Sequence, residues 1–232
     1  MGKDVIIACD FATGRETMDF LGELEGLDPY IKIGMELFYS EGPGFVTELK
    51  EKGYRIFLDL KLHDIPNTVE KAMRSIARLG VDMCNVHAAG GIRMMEAAVK
   101  GLAAEDGSRP LIIAVTQLTS TSQEQMESEL LIERPIEEVV AAYGRNAQRA
   151  GLDGVVCSPL EAPDVHKSCG RGFMTVTPGV RFREDAAGDQ KRITDPAEAV
   201  ALGSDYIVVG RSITGAADPR KAYERCLADF VG

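Results

Sequence analysis

Apolar residues recur along the chain in two alternating rhythms. Short runs rich in Val, Ile, Leu and Phe fall at 5–8, 30–34, 55–61, 83–87, 111–116, 154–158, 173–177 and 206–210, and their length and β-branched content read as strands. Between them lie stretches with helical spacing, at 17–24, 44–52, 68–79, 92–103, 136–150 and 196–202, and a last one at 219–230 closes the chain. The weakest helical stretch, 160–167, is short and interrupted by Pro163. Eight strand-and-helix repeats predict an α/β protein with a closed (β/α)₈ (TIM) barrel rather than an open doubly wound sheet. An open sheet would announce a nucleotide by a Gly-rich first turn, and here that turn reads Cys9-Asp10-Phe11-Ala12-Thr13-Gly14.

The third strand departs most from an apolar pattern. Phe57, Asp59 and Lys61 share one face, while Leu58, Leu60 and Leu62 share the other and suit packing under helices. Asp64 follows where the strand gives way to a turn, and Pro66-Asn67 opens the next helix. Asp-x-Lys-x-x-Asp on a solvated surface is an ordinary ion pair. On an inward face the same charges are costly, and ionisable groups kept there usually serve chemistry.

Composition narrows the picture. The chain has 232 residues and no low-complexity segment or Pro/Ser-rich linker, which predicts one domain over 1–232. A net charge of −10 argues against a nucleic-acid backbone or an anionic membrane as partner, but leaves room for a small anion held by a few arginines. Five cysteines without a Cys-x-x-Cys pair read as buried reduced thiols, not as disulfides or a zinc site. No signal-peptide core precedes the first strand and no apolar run suffices to span a bilayer, so a soluble, cytoplasmic protein is expected.

Barrel enzymes place their sites at the C-terminal ends of the strands. Collecting polar residues from those ends gives Asp10, Lys32, Asp59, Lys61, His87, Thr119, Ser158, Arg181 and Arg211. Lys32 stands between isoleucines in a barrel that has no edge, so it needs a partner. His87 reads as a hydrogen-bonded core histidine, and Ser158 and Gly90-Gly91 as structural. After the eighth strand, Gly210 lets backbone approach a ligand and Arg211 offers a donor fork suited to phosphate. The long polar segment from Thr177 to Gln190 lies beside that site and reads as a lid.

Taken together, Asp59-x-Lys61-x-x-Asp64, Lys32-Ile33-Gly34, Pro178-Gly179-Val180-Arg181, Gly188-Asp189-Gln190 and Val209-Gly210-Arg211 resemble the orotidine 5′-monophosphate decarboxylase family over essentially the whole chain. The resemblance implies loss of CO₂ from the orotate ring to give uridine monophosphate, with no metal or organic cofactor. By it, Lys61 is the proton donor to C6, and Lys32, Asp59 and Asp64 complete an alternating charge network. Asp10, Lys32 and Thr68 would hold the ribose, with Asp64 reaching in from the second subunit of a homodimer and Ile65 beside it at the substrate. Thr119 would address the pyrimidine edge, with Thr116 and Thr121 as alternatives; Gln190 would bridge base and phosphate, and Arg181, Gly210 and Arg211 would take the phosphate.

The residues make independent sense of that chemistry. Carboxylates around Lys61 favour its ammonium form, which suits a cation and acid and not a Schiff base. A carbanion at C6 has poor delocalisation, so a fixed ammonium beside it supplies both field and proton. Two rivals differ in kind. A magnesium-dependent phosphosugar enzyme of the same barrel group would want an acid where Lys32 stands, and a silent nucleotide-binding barrel would not need Lys61.

Overall fold

The structure, a computed structural model, describes residues 2–185 and 194–232. Eight parallel strands close into a barrel in sequence order, with β1 hydrogen-bonded to both β2 and β8. They are β1 (Asp4–Ala8), β2 (Tyr30–Gly34), β3 (Arg55–Leu62), β4 (Met83–His87), β5 (Leu111–Val115), β6 (Gly154–Val156), β7 (Met174–Pro178) and β8 (Tyr206–Val209). The helices between them are α1 (Gly14–Glu23), α2 (Met35–Glu51), α3 (Pro66–Ala77), α4 (Gly91–Leu102), α5 (Gln123–Ser128), α6 (Ile136–Arg149), α7 (Ala162–Cys169), α8 (Pro196–Leu202), α9 (Arg211–Thr214) and α10 (Pro219–Phe230).

Strand alternation sorts the apolar residues into two cores. Ile6, Tyr30, Phe57, Met83, Ile113 and Met174 fill the barrel interior, while Ile7, Ile31, Leu58, Leu60, Cys84 and Ile112 pack outward under the helices. The third strand therefore divides its faces as its sequence predicts, with Asp59 on the same inward side as Phe57. All five cysteines are free thiols, and burial pushes Cys9 up to about 12. Among the described residues no helix is long and apolar enough to cross a membrane.

Three aspartates hold the closed end of the barrel. Asp82, Asp153 and Asp205 each precede an even-numbered strand, and each accepts the second backbone N–H of the strand before it. The bonds run from Ile56 at 2.7 Å, Ile112 at 2.7 Å and Thr175 at 2.8 Å. Each strand's donor toward the next strand is thus satisfied where that ladder has not yet begun.

Helix boundaries depart from the sequence reading for identifiable reasons. α2 begins at Met35 rather than at 44 because two helical pieces join across a kink at Gly42, φ +74°, before Pro43. Pro163 does not interrupt the helix after β6; it occupies the first turn of α7, where its missing N–H has no helical partner to lose. α5 and α9 are additional short helices, and α5 is opened by a Ser122–Gln125 capping box.

Candidate active site

Four charged side chains from the ends of β1, β2 and β3 form one line. Lys32 Nζ donates to Asp10 Oδ1 at 2.8 Å and stands 3.5 Å from Asp59 Oδ2, while Lys61 Nζ donates to Asp59 Oδ1 at 2.7 Å. The sign alternates along Asp10, Lys32, Asp59 and Lys61. Lys32 and Asp59 are each only 8% exposed, a depth at which either charge alone would be strongly unfavourable. Burial works against the Lys32 ammonium, but Asp59 and Asp10 outweigh it and hold its pKa above the ordinary lysine value. Burial alone would raise the Asp59 carboxyl; Lys32 and Lys61 reverse this and hold it below the ordinary carboxylate value.

Backbone geometry makes the line possible. Gly34 ends β2 directly beneath the first pair, and a Cβ there would stand 3.1 Å from both Asp10 Oδ1 and Lys32 Nζ. On β3 the ladder to β4 pairs Phe57 with Met83 and Leu58 with Cys84, then resumes only at Leu62 opposite Val86. Asp59, Leu60 and Lys61 therefore face Asn85 alone, and the bulge carries Lys61 to φ +52°, an unusual conformation for a lysine. Asn85, 1% exposed, fills the gap: its Oδ1 accepts the Lys61 N–H at 2.8 Å and its Nδ2 donates to Asp59 Oδ1 at 2.6 Å.

The charged line forms the floor between two adjoining hollows. One, of about 570 Å³, is walled by Asp10, Gly179, Arg181, Gly210 and Arg211 together with Lys32, Asp59 and Lys61, so the two arginines and the charged line share one hollow. The second, of about 220 Å³, continues from Lys32, Asp59 and Lys61 into an apolar recess with Phe57, Leu118 and Val156, edged by Gln117, Thr119 and Ser120. Of the three threonines considered for this edge, Thr119 is the one that lines the recess. Thr116 is buried, donating to the Val156 carbonyl at 3.0 Å.

Other expected residues lie elsewhere. Asp64, Ile65 and Thr68 are exposed, and Asp64 accepts the Ile65 N–H at 2.6 Å. With Tyr39 and Lys61, Asp64 and Thr68 line a separate cleft on the far side of Lys61, so one chain does not bring Thr68 to Asp10 and Lys32. His87 is half-buried, with its ring 5.7 Å from that of His63, and is not a core histidine as expected; burial, His63 and Lys61 all lower its pKa. Ser158 caps the turn that leads into α7. Gly188, Asp189 and Gln190 fall outside the described residues, but the segment on either side is tied together. Val180 bridges Thr194, the Arg181 N–H donates to the Thr194 carbonyl at 3.1 Å, and Arg183 pairs with Asp195. Among the described residues, no group of three or more His, Cys, Asp or Glu side chains is placed to hold a metal ion.

Asn85, Gln117 and Ser120 were not anticipated. Asn85 had a readable signal, since a polar residue at an inward position of an otherwise apolar strand must find a partner.

Known proteins similar to this chain are numerous. The family model described as orotidine 5′-phosphate decarboxylase / HUMPS family matches residues 3–226. A protein of Bacillus cereus (strain Q1) named orotidine 5′-phosphate decarboxylase is 56% identical over 237 residues, spanning 100% of this chain and 99% of that protein. One of the same name from Geobacillus sp. (strain WCH70) is 53% identical over 235 residues, spanning 100% of this chain and 98% of that protein. The crystal structure of orotidine 5′-phosphate decarboxylase from Lactobacillus acidophilus superposes with a TM-score of 0.89 at 39% identity, covering 99% of this chain and 100% of that one. With a family match over nearly the whole chain and the charged line at the expected strand ends, the chain belongs to the orotidine 5′-phosphate decarboxylase / HUMPS family.

Proposed function

We propose that this chain is a carboxy-lyase converting orotidine 5′-monophosphate to uridine monophosphate without metal or cofactor, with Lys61 as the proton donor to C6. The observation that carries the reading is the alternating line Asp10, Lys32, Asp59, Lys61 beside an apolar recess, with two arginines lining the adjoining hollow. The phosphate is assigned to Arg181, Gly210 and Arg211, the ribose to Asp10 and Lys32, and the ring to the recess edged by Thr119. Gln190, outside the described residues, is assigned by the resemblance to bridge base and phosphate. In this reading the substrate carboxylate lies near Asp59, whose own charge disfavours it there. The C6–carboxylate bond breaks, its electron pair stays on C6, and CO₂ leaves. The Lys61 ammonium, fixed by Asp59, stabilises the developing charge and passes a proton to C6; the neutral amine then regains one from solvent.

Lys32 also bears on the magnesium-dependent rival. Its ammonium already occupies the space between the Asp10 and Asp59 carboxylates where a cation would otherwise sit. We assign the whole of 1–232 to one catalytic domain that works in the cytoplasm as a homodimer, with Asp64, Ile65 and Thr68 serving the partner's site. Orotidine 5′-monophosphate added to purified, EDTA-treated protein should show the ultraviolet change of uridine monophosphate formation at the untreated rate. Activity that returns only with added Mg²⁺ would move the case to the phosphosugar-type rival.

A further inference from the structure

We infer that Asn85 is a positioning residue that holds Lys61 in its strained, site-facing conformation and fixes the Asp59 carboxylate against it. The inference rests on the decarboxylase reading for its kinetic consequence, and on geometry alone for its structural one.

Three residues of β3 face one residue of β4 at the bulge, so the ladder to β4 is interrupted there and the Lys61 N–H turns to a side chain instead. A buried N–H without an acceptor is costly, and a left-handed lysine adds its own strain. Asn85 meets both demands with one planar amide. Its two neighbours also settle which way that amide faces: the Lys61 N–H can only donate and the Asp59 carboxylate can only accept, so Oδ1 meets the first at 2.8 Å and Nδ2 the second at 2.6 Å. Asp59 Oδ1 thus receives the Lys61 ammonium and the Asn85 amide together, which fixes the oxygen that aims Nζ. Asn85 lines neither hollow, so its influence on chemistry runs through Lys61 and Asp59. Alanine removes both bonds. Aspartate keeps the acceptor for the Lys61 N–H but turns the donor facing Asp59 into an oxygen, which bonds there only when it carries a proton. The charged groups around that pair are Lys61 on β3, Lys32 on β2, Asp10 after β1, and His87 with His63, and all are shared with the native protein.

The experiment measures kcat, KM and product affinity from pH 5 to 9 for the native protein, Asn85→Ala and Asn85→Asp, with amide exchange at Lys61 followed by NMR. Asn85→Ala should lose kcat by about a hundredfold at every pH, the scale set by a misplaced catalytic group, while uridine monophosphate affinity stays within about twofold. Asn85→Asp should recover kcat relative to the native protein as pH falls, because protonation returns the missing donor. The Lys61 amide should be protected in the native protein and exchange freely in Asn85→Ala. Near-native kcat in Asn85→Ala, or an Asn85→Asp loss that does not change with pH relative to the native protein, would overturn the assignment. A native protein that fails to turn over the nucleotide would sink the decarboxylase reading instead, and the exchange arm would then decide the role of Asn85: an unprotected native Lys61 amide, or equal protection in Asn85→Ala, refutes it.

Discussion

At the scale of single residues, the electrostatics of the charged line and the placement of one lysine decide most of what is expected. Lys61→Ala should lower turnover by roughly 10²–10⁴-fold, the usual share of a positioned general acid. Nucleotide affinity should change little, because the phosphate contacts assigned to Arg181 and Arg211, which line the larger hollow, do not pass through Lys61. Near-normal turnover in single-turnover kinetics would remove Lys61 from its role. Stability should also carry the mark of the line. The folded pKa of Asp59 is depressed, so its contribution is fully present above the unfolded carboxylate value near ~3.9 and is lost as pH falls through the lower folded value. Lys32 is raised, so its contribution is complete below the unfolded value near ~10.4 and lost as pH rises through the higher folded one. The stability gap between the native protein and Asp59→Asn, from urea unfolding, should therefore be flat from about pH 5 to pH 9 and shrink below about pH 4. A gap that widens in acid would mean that Asp59 is not held ionised by its lysines.

At the scale of elements, strands were far more legible than helix ends or loops. Apolar runs buried on both faces leave little ambiguity, so all eight strands appear within a few residues of their expected positions. The start of α2 was not legible, because Gly42 and Pro43 suggest a stop where the chain only kinks. The β3 bulge was also hidden: nothing in Asp59-Leu60-Lys61 announces a register shift, although the charges it aims were plain. A subtler signal repeats along the chain. Gly80-Val81-Asp82, Gly151-Leu152-Asp153 and Gly203-Ser204-Asp205 each place a left-handed glycine two residues before the aspartate that caps the neighbouring strand. Asp153 illustrates its weight, since it accepts the Ile112 N–H and pairs with Arg109 at 2.5 Å. Asp153→Ala leaves the Ile112 N–H without its acceptor and Arg109 with only the Pro110 and Gly151 carbonyls, and should cost about 2–4 kcal/mol. It lies at the end of the barrel opposite the charged line, so kcat of the folded fraction should be unchanged. Thermal unfolding and an active-site titration together would test this, and a loss of kcat per folded site would contradict it.

At the scale of the whole molecule, one chain leaves Asp64 exposed in a cleft that shares Lys61 with the charged line. The Asp64 carboxylate faces out beside Lys61's outer cleft, and the neighbouring Tyr39 and Ile65 are 72% and 66% exposed, more apolar surface than a barrel rim needs for itself. A two-fold partner covering this face would bury both and return its own Asp64 to the first chain's Lys61, because an isologous interface makes every such exchange mutual. The arrangement predicts complementation. Lys61→Ala and Asp64→Asn should each be nearly inactive alone. Unfolded together and refolded as an equal mixture, about half the dimers are mixed, and each mixed dimer has one site with both lesions and one with neither, so roughly a quarter of all sites should recover. If Asp64 served its own chain, every site in a mixed dimer would keep one lesion and activity would stay at the level of the parents. Absence of recovery, with mixed dimers demonstrated by mass spectrometry, would refute the shared site while leaving Lys61 and the decarboxylation chemistry in place. Recovery near a quarter would locate the missing charge of the line in the second subunit, and would explain why Asp64 stands exposed in a chain whose other charged site residues are already paired.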